Sequence, residues 1–214
     1  MNSKKKVGFT TSFPVEVVFA AGYVPVDLNN IFINNDPVGL VEQAEVNGYP
    51  RNICAWIKGM YSTIINNNFE IIVGIVQGDC SNTHSLMSTL HDKGLEIIPF
   101  SFPYDKSGKE LKCEIEKLEE IFGVSHSMVL EVKSNLDRIR RKLIRLDELT
   151  YIDNKVTGFE NHLWLVSSSD FNGDPHKFEI ELDDFIREAE NRKSLKFSFR
   201  FAFLGVPPIF TDIY

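Results

Sequence analysis

The chain has 214 residues, 43% hydrophobic and 12% aromatic, with 17 Phe and 25% charged residues. That composition buries a sizeable core and excludes a disordered chain. A net charge of −7 argues against nucleic acid as the main partner, because phosphate binding needs a surplus of Lys and Arg.

Three cysteines, an odd number, argue against a disulfide framework and for a reduced, cytoplasmic setting. Lys4, Lys5 and Lys6 precede an apolar stretch that imitates a signal peptide. The stretch contains Thr10, Thr11, Ser12, Pro14 and Glu16, so it reads as a cytoplasmic start. No apolar run approaches the length of a membrane span.

In chain order, residues 7–10 read as a strand, and 15–21 as a helix entered through Pro14 and closed by Gly22. A second strand covers 23–28, followed by an Asn-rich loop. Asp36-Pro37 opens a helix to Val46. Residues 51–67 form another, with Ile53, Trp56, Ile57, Met60 and Ile64 at helical spacing. Residues 69–76 are a β-branched run suited to a strand buried on both faces of a parallel sheet. A helix over 81–93, stopped by Gly94, leads to a strand at 95–100. Strands alternating with helices at these spacings predict a Rossmann-like α/β domain with a parallel sheet flanked by helices.

From 107 to 149 the pattern is purely helical, with one stripe through Leu111, Ile115, Leu118, Ile121 and Phe122 and another through Leu136, Ile139, Leu143 and Leu146. Helices are expected over 157–168 and 178–192. This helical insertion or appendage shows no internal repeat. Residues 195–204 alternate Phe with Lys, Ser and Arg as a strand does, and a helix start is expected after Val206-Pro207-Pro208. The expected organisation is an α/β domain over 1–106, a helical segment over 107–193, and a strand and turn over 194–214 that open a second α/β domain. On this reading the chain stops at the beginning of that domain.

The sequence lacks a GxxxxGK[ST] loop, a GxGxxG turn after a strand, HExxH, CxxC and GxSxG, and so the machinery those motifs carry for ATP, dinucleotides, zinc hydrolysis or a serine nucleophile. What stands out are two cysteines in comparable places. Cys54 opens a helix in Tyr49-Pro50-Arg51-Asn52-Ile53-Cys54-Ala55-Trp56. Cys80 lies at a strand-to-helix turn in Gln77-Gly78-Asp79-Cys80-Ser81. The C-terminal edge of a parallel sheet is where such folds place ligands, and a helix N-terminus favours a thiolate fit for metal or redox work. Buried structural cysteines are the competing reading. Cys113, inside a Lys/Glu-rich amphipathic helix and away from strand ends, reads as a partly buried helix residue.

The opening, from Val7-Gly8-Phe9-Thr10-Thr11-Ser12-Phe13-Pro14-Val15-Glu16 through Ala20-Ala21-Gly22 to Pro25-Val26-Asp27-Leu28, resembles the 2-hydroxyacyl-CoA dehydratase / benzoyl-CoA reductase family. Cys54 within C-x-W-I-K-G and Cys80 within G-D-C-S-N-T resemble the two cluster cysteines of the family's first half. Residues 200–214, with Leu204-Gly205-Val206-Pro207-Pro208-Ile209, resemble the strand opening its second half. The resemblance implies a [4Fe–4S] cluster bound by three cysteines, of which Cys54 and Cys80 are two and the third has no counterpart here. It further implies an acyl-CoA substrate, an ATP-dependent iron–sulfur activator protein, and an identical or different partner subunit. The implied reaction is one-electron chemistry through a ketyl radical on the thioester. A double-cubane-cluster reductase of small molecules and a non-catalytic interaction domain without iron are the alternative functions.

Further candidates each have a plain structural alternative. Thr10, Thr11 and Ser12 follow the first strand and could donate to a substrate, or Ser12 could cap the next helix. His84, one turn beyond Cys80, and Glu16, in a first helical turn, are candidate acid–base groups. Arg138, Arg141, Lys142 and Arg145 form a basic stripe, read as a solvated face or as a surface for coenzyme A phosphates. His162 and Trp164 are expected to pack against the sheet.

Overall fold

In the computed structural model, which describes residues 4–199, 201–202 and 204–205, the chain divides into two compact units, Met1–Lys133 and Ser134–Tyr214. The first is built on four parallel strands in the order β2-β1-β3-β4: β1 (Lys6–Phe9), β2 (Val24–Asp27), β3 (Ile71–Gln77) and β4 (Glu96–Ser101). The α/β class with a parallel sheet is therefore what forms. The β-branched run becomes β3, whose first five residues are all buried. Pro25 and Pro99 fall in the two edge strands β2 and β4, where a missing N–H is tolerated.

From β1 the chain moves to one edge, and from β3 to the other. Right-handed crossovers in opposite directions place α1 (Val15–Ala20) and α5 (Ser81–Asp92) on opposite faces. One face is covered by α2 (Leu28–Asn34), α4 (Ala55–Asn66) and α5, with Leu28, Phe32, Met60, Ile64, Leu86 and Leu90 packed on Ile72. α3 (Pro37–Val46) packs against α2 and α4. α1 packs on β2 and on α6 (Gly108–Phe122), which also contacts β4. Thus α6, read as the start of the helical segment, packs on the sheet.

Helix α2 lies where the sequence reads as a loop. Asn29, Asn30 and Asn34 are weak helix formers, but tertiary burial overrides them. The Asp27 side chain accepts from Asn29 N at 2.9 Å as the N-cap, and Leu28 and Phe32 are buried. Gly59 of α4 makes this packing possible: a Cβ there would lie 2.0 Å from the Phe32 ring.

The continuous helical pattern divides at Gly123, which takes a left-handed conformation (φ 65°) and ends α6. It is followed by α7 (His126–Tyr151), which runs through the unit boundary. The second unit adds α8 (Gly158–Ser167), a single 3-10 turn (Phe171–Gly173) and α9 (Pro175–Asn191). Trp164 packs against Phe178 and Phe185 of α9 at ring distances of 5.2 and 5.5 Å. Trp164 thus packs on helix α9, where packing on the sheet was expected. His162 is half-buried, and burial pushes its imidazole below the ordinary value.

Three cations of the basic stripe of α7, Arg138, Lys142 and Arg145, are paired with acidic side chains, while Arg141 is exposed. Arg138 grips Glu179 through two bonds of 2.8 and 2.6 Å, and Lys142 reaches Glu179 at 2.7 Å and Asp183 at 2.6 Å. Arg145 meets Glu190 and Asp153. These pairs advance together along α7 and α9, so the two helices run parallel. The sequence displays the cations, but only the fold brings the acidic face of α9 against them.

Arg138, with Lys142 beside it, holds the Glu179 carboxyl at about 2, against an ordinary 4.5. A depressed carboxyl stabilises the fold above its unfolded value and loses that contribution as pH falls through the folded one. The stability gap between wild type and Glu179→Gln is therefore expected to be full above about pH 5 and to close toward pH 2. Urea midpoints at pH 7, 4 and 2.5 measure it, and a gap that does not change with pH contradicts the ion pairing.

The expected strand over 195–204 does not form among the described residues. Leu195 N donates to Asn154 O at 2.6 Å, and residues 195–199 then run without regular structure, with Phe197, Phe199, Phe201 and Leu204 exposed. A strand needs a neighbour to satisfy its backbone, and the described residues offer none. The helix start expected after Pro208 lies outside the described residues. No helix among them is long and apolar enough to cross a membrane.

Candidate functional site

In a sheet of order β2-β1-β3-β4 the connections diverge between β1 and β3, and the crevice at the C-terminal ends of these strands is where such folds bind ligands. At that edge β1 ends in Phe9 and leads into Thr10-Thr11-Ser12, and β3 ends in Gln77 and leads through Gly78 to Cys80. Thr10 is buried and stitches the two strands: its N–H donates to Val73 O at 3.3 Å and its hydroxyl oxygen accepts from Ile75 N at 3.3 Å. Thr11 is half-buried and Ser12 exposed. Ser12 does not cap α1, whose N-cap is Pro14 with no side-chain cap bond.

Cys80 is the N-cap of α5, exposed and with a free thiol. Its turn is fixed by Asp79, which accepts from Cys80 N at 2.7 Å and from the Thr83 hydroxyl at 3.1 Å. Thr83 Oγ1 also lies 3.7 Å from Cys80 Sγ. Gly78 takes φ 98°, a left-handed conformation that lets the chain turn sharply off β3. Just before it, the β3–β4 register shifts between Ile75 and Gln77.

Cys54 is likewise an exposed N-cap with a free thiol, at the start of α4. A chain of hydrogen bonds ties this helix start to the strand ends. Trp56 Nε1 donates to Asn29 Oδ1 at 2.7 Å. Asn29 Nδ2 donates to Thr10 O at 3.0 Å and to Asp27 Oδ1 at 2.7 Å. Thr10 and Asp27 sit at the ends of β1 and β2, so the start of α4 belongs to the same C-terminal edge. Cys54, Cys80 and the 10–12 turn all lie there, as the sequence suggested. Asn29 and Asp27 were not singled out. The signal was a Asp-x-Asn pair at a strand end, an Asx cap hidden inside an Asn-rich stretch.

His84 is exposed, and its Nε2 contacts the Val76 carbonyl. A carbonyl only accepts, so Nε2 carries the hydrogen and the neutral ring keeps its lone pair on Nδ1. Glu16 is buried in the first turn of α1.

Cys113 departs from expectation twice. It is exposed, and it shares a depression of about 430 Å³ with Gln77 and Ser101, the last residues of β3 and β4. The fold-back of α6 onto β4 brings it to the strand ends. Among the described residues no three His, Cys, Asp or Glu side chains group as a metal site.

Fold and edge together define a doubly wound α/β protein with two free cysteines at helix N-cap positions on the switch-point edge of its sheet. The sequence profile of the family described as 2-hydroxyglutaryl-CoA dehydratase, D-component, matches residues 10–214, nearly the whole chain. The chain belongs to that family of dehydratase components. No curated protein matches it.

Proposed function

We propose that the chain is an iron–sulfur subunit of a 2-hydroxyacyl-CoA dehydratase, with Cys54 and Cys80 as two thiolate ligands of a [4Fe–4S] cluster. The observation that carries this reading is that both cysteines are exposed, uncapped helix starts on one sheet edge. Soft thiolates are the ligands iron–sulfur clusters take. On this reading Cys54 and Cys80 are two of the three family ligands, and the third has no counterpart among the residues of this chain. A cluster held by Cys54 and Cys80 would supply single-electron chemistry toward the acyl thioester.

The remaining work falls to the chain's own groups. Ser12 and Thr11 offer hydroxyl donors to the thioester carbonyl beside the β1–β3 crevice. Thr10 and Asn29 hold the strand ends and the start of α4 in place beneath them. His84, with Nε2 committed to Val76 O, offers Nδ1 as a proton acceptor one turn past Cys80. The low-potential electron arrives from an ATP-dependent iron–sulfur activator, and a partner subunit completes the enzyme, in a cytoplasmic setting.

The test is anaerobic reconstitution of the full-length protein with iron and sulfide. Wild type is expected to hold about four irons per cluster, and Cys54→Ala and Cys80→Ala each to lose most of them, while Cys113→Ala keeps them. Iron retained by both of the first two variants sinks the assignment.

A further inference from the structure

Lys58 is the most deeply buried charge on α4, with 3% of its surface exposed. Its ammonium donates to Glu45 Oε1 on α3 at 2.6 Å and to the Arg51 carbonyl at 3.2 Å. Its backbone N–H donates to the Cys54 carbonyl at 3.2 Å. One residue therefore holds both sides of the turn that presents Cys54. Residues 47–54 form no helix or strand; Tyr49 N–H donates to Ala44 O at 3.0 Å and Ile53 N–H to Pro50 O at 3.1 Å, and the Lys58 ammonium is the side-chain donor to the Arg51 carbonyl between them.

Burying an ammonium is costly, and replacing a buried ion pair by apolar side chains of similar size is often neutral or stabilising. Packing alone does not account for a lysine here. What an apolar side chain cannot supply is a donor for the Arg51 carbonyl. Glu45 is the counterion that aims the donor, and it is approached from the other side by Arg51 Nε at 3.6 Å.

We infer that Lys58 is a positioning residue for Cys54: the Glu45–Lys58 pair clips the Arg51 carbonyl so that the 51–54 turn delivers the thiol to the sheet edge in one conformation. This deepens the cluster-ligand reading above and rests on it for its functional meaning. The clip itself is a claim about local order and stands or falls separately.

Three variants separate positioning from plain stability. Lys58→Met removes the donor and leaves Glu45 with only the more distant Arg51 guanidinium, 3.6 Å away. Glu45→Gln weakens the aim of the ammonium. The double variant Lys58→Met/Glu45→Leu removes both charges, and such replacements of buried pairs are commonly neutral or stabilising. Amide hydrogen exchange followed by mass spectrometry reads residues 47–55 against β3 and α5. Exchange over 47–55 is expected to quicken about ten- to a hundredfold in Lys58→Met. It should remain fast in the double variant, even though that variant regains wild-type urea resistance.

Unchanged exchange in Lys58→Met, or full recovery in the double variant, overturns the clip. In the reconstituted full-length protein, the double variant should also lose iron to a chelator about tenfold faster than wild type, with Cys54 still present. If wild type binds no iron while exchange over 47–55 behaves as described, the cluster reading fails and the clip stands.

Discussion

Truncation of Phe9 to alanine is expected to cost about 3–5 kcal/mol of stability, the range for removing a fully buried aromatic ring. Phe9 has no exposed surface and is the last residue of β1, in register with Asp27 on one side and Val73 on the other. Its neighbours are hydrogen-bonded strands, which relax little into a cavity. The ring also packs on Phe13 with centroids 5.1 Å apart, closing the base of the 10–12 turn. Phe9→Ala should therefore lower the urea midpoint sharply and loosen the turn, whereas Phe9→Leu should cost about 1–2 kcal/mol. A loss below about 1 kcal/mol in Phe9→Ala would mean that the ring is not in the core described.

Asn29→Asp is expected to destabilise the same edge by about 2–4 kcal/mol at pH 7, although the side chains have nearly the same shape. Asn29 gives both of its amide hydrogens away, to Thr10 O and Asp27 Oδ1. The aspartate gives none and sets a second carboxylate against Asp27 and a carbonyl. Only the acceptor for Trp56 Nε1 survives. Crowding by like charge raises the new carboxyl above its unfolded value, near 4. A raised group adds stability that is full below the unfolded value and lost as pH rises through the folded one, so the deficit should shrink between pH 7 and about pH 4. Denaturation curves at the two pH values decide it. A deficit that is the same at both would show that the carboxylates do not face one another.

The sheet was legible because its signals are local. The β-branched run of β3 and the alternation of strands and helices need no knowledge of tertiary contacts. Helix α2 was not, because its residues are poor helix formers and its stability comes from Phe32 resting on Gly59, a contact 27 positions away. The same distinction holds at the site. The helix starts at Cys54 and Cys80 were legible because a helix start after a turn can be read from a few neighbouring residues. Near Cys54, Asn29 and Lys58 bond to carbonyls and carboxylates that nothing in the local pattern marks. Cys113 was placed away from the strand ends because nothing local in α6 records that it folds back on β4. Alternation over 195–204 was real as a pattern, but alternation describes which way side chains point and not whether a neighbouring strand is present.

The two prolines of the edge strands bear on how this protein behaves when crowded. An open sheet offers its outer backbone to any passing extended segment, including that of another molecule. Pro25 and Pro99 each interrupt the row of donors such a segment would need, one on either margin. The sheet is thereby a poor template for its own copies. Replacing either proline by valine would restore a continuous strand at little cost to the fold, and the penalty would surface as concentration-dependent precipitation during refolding.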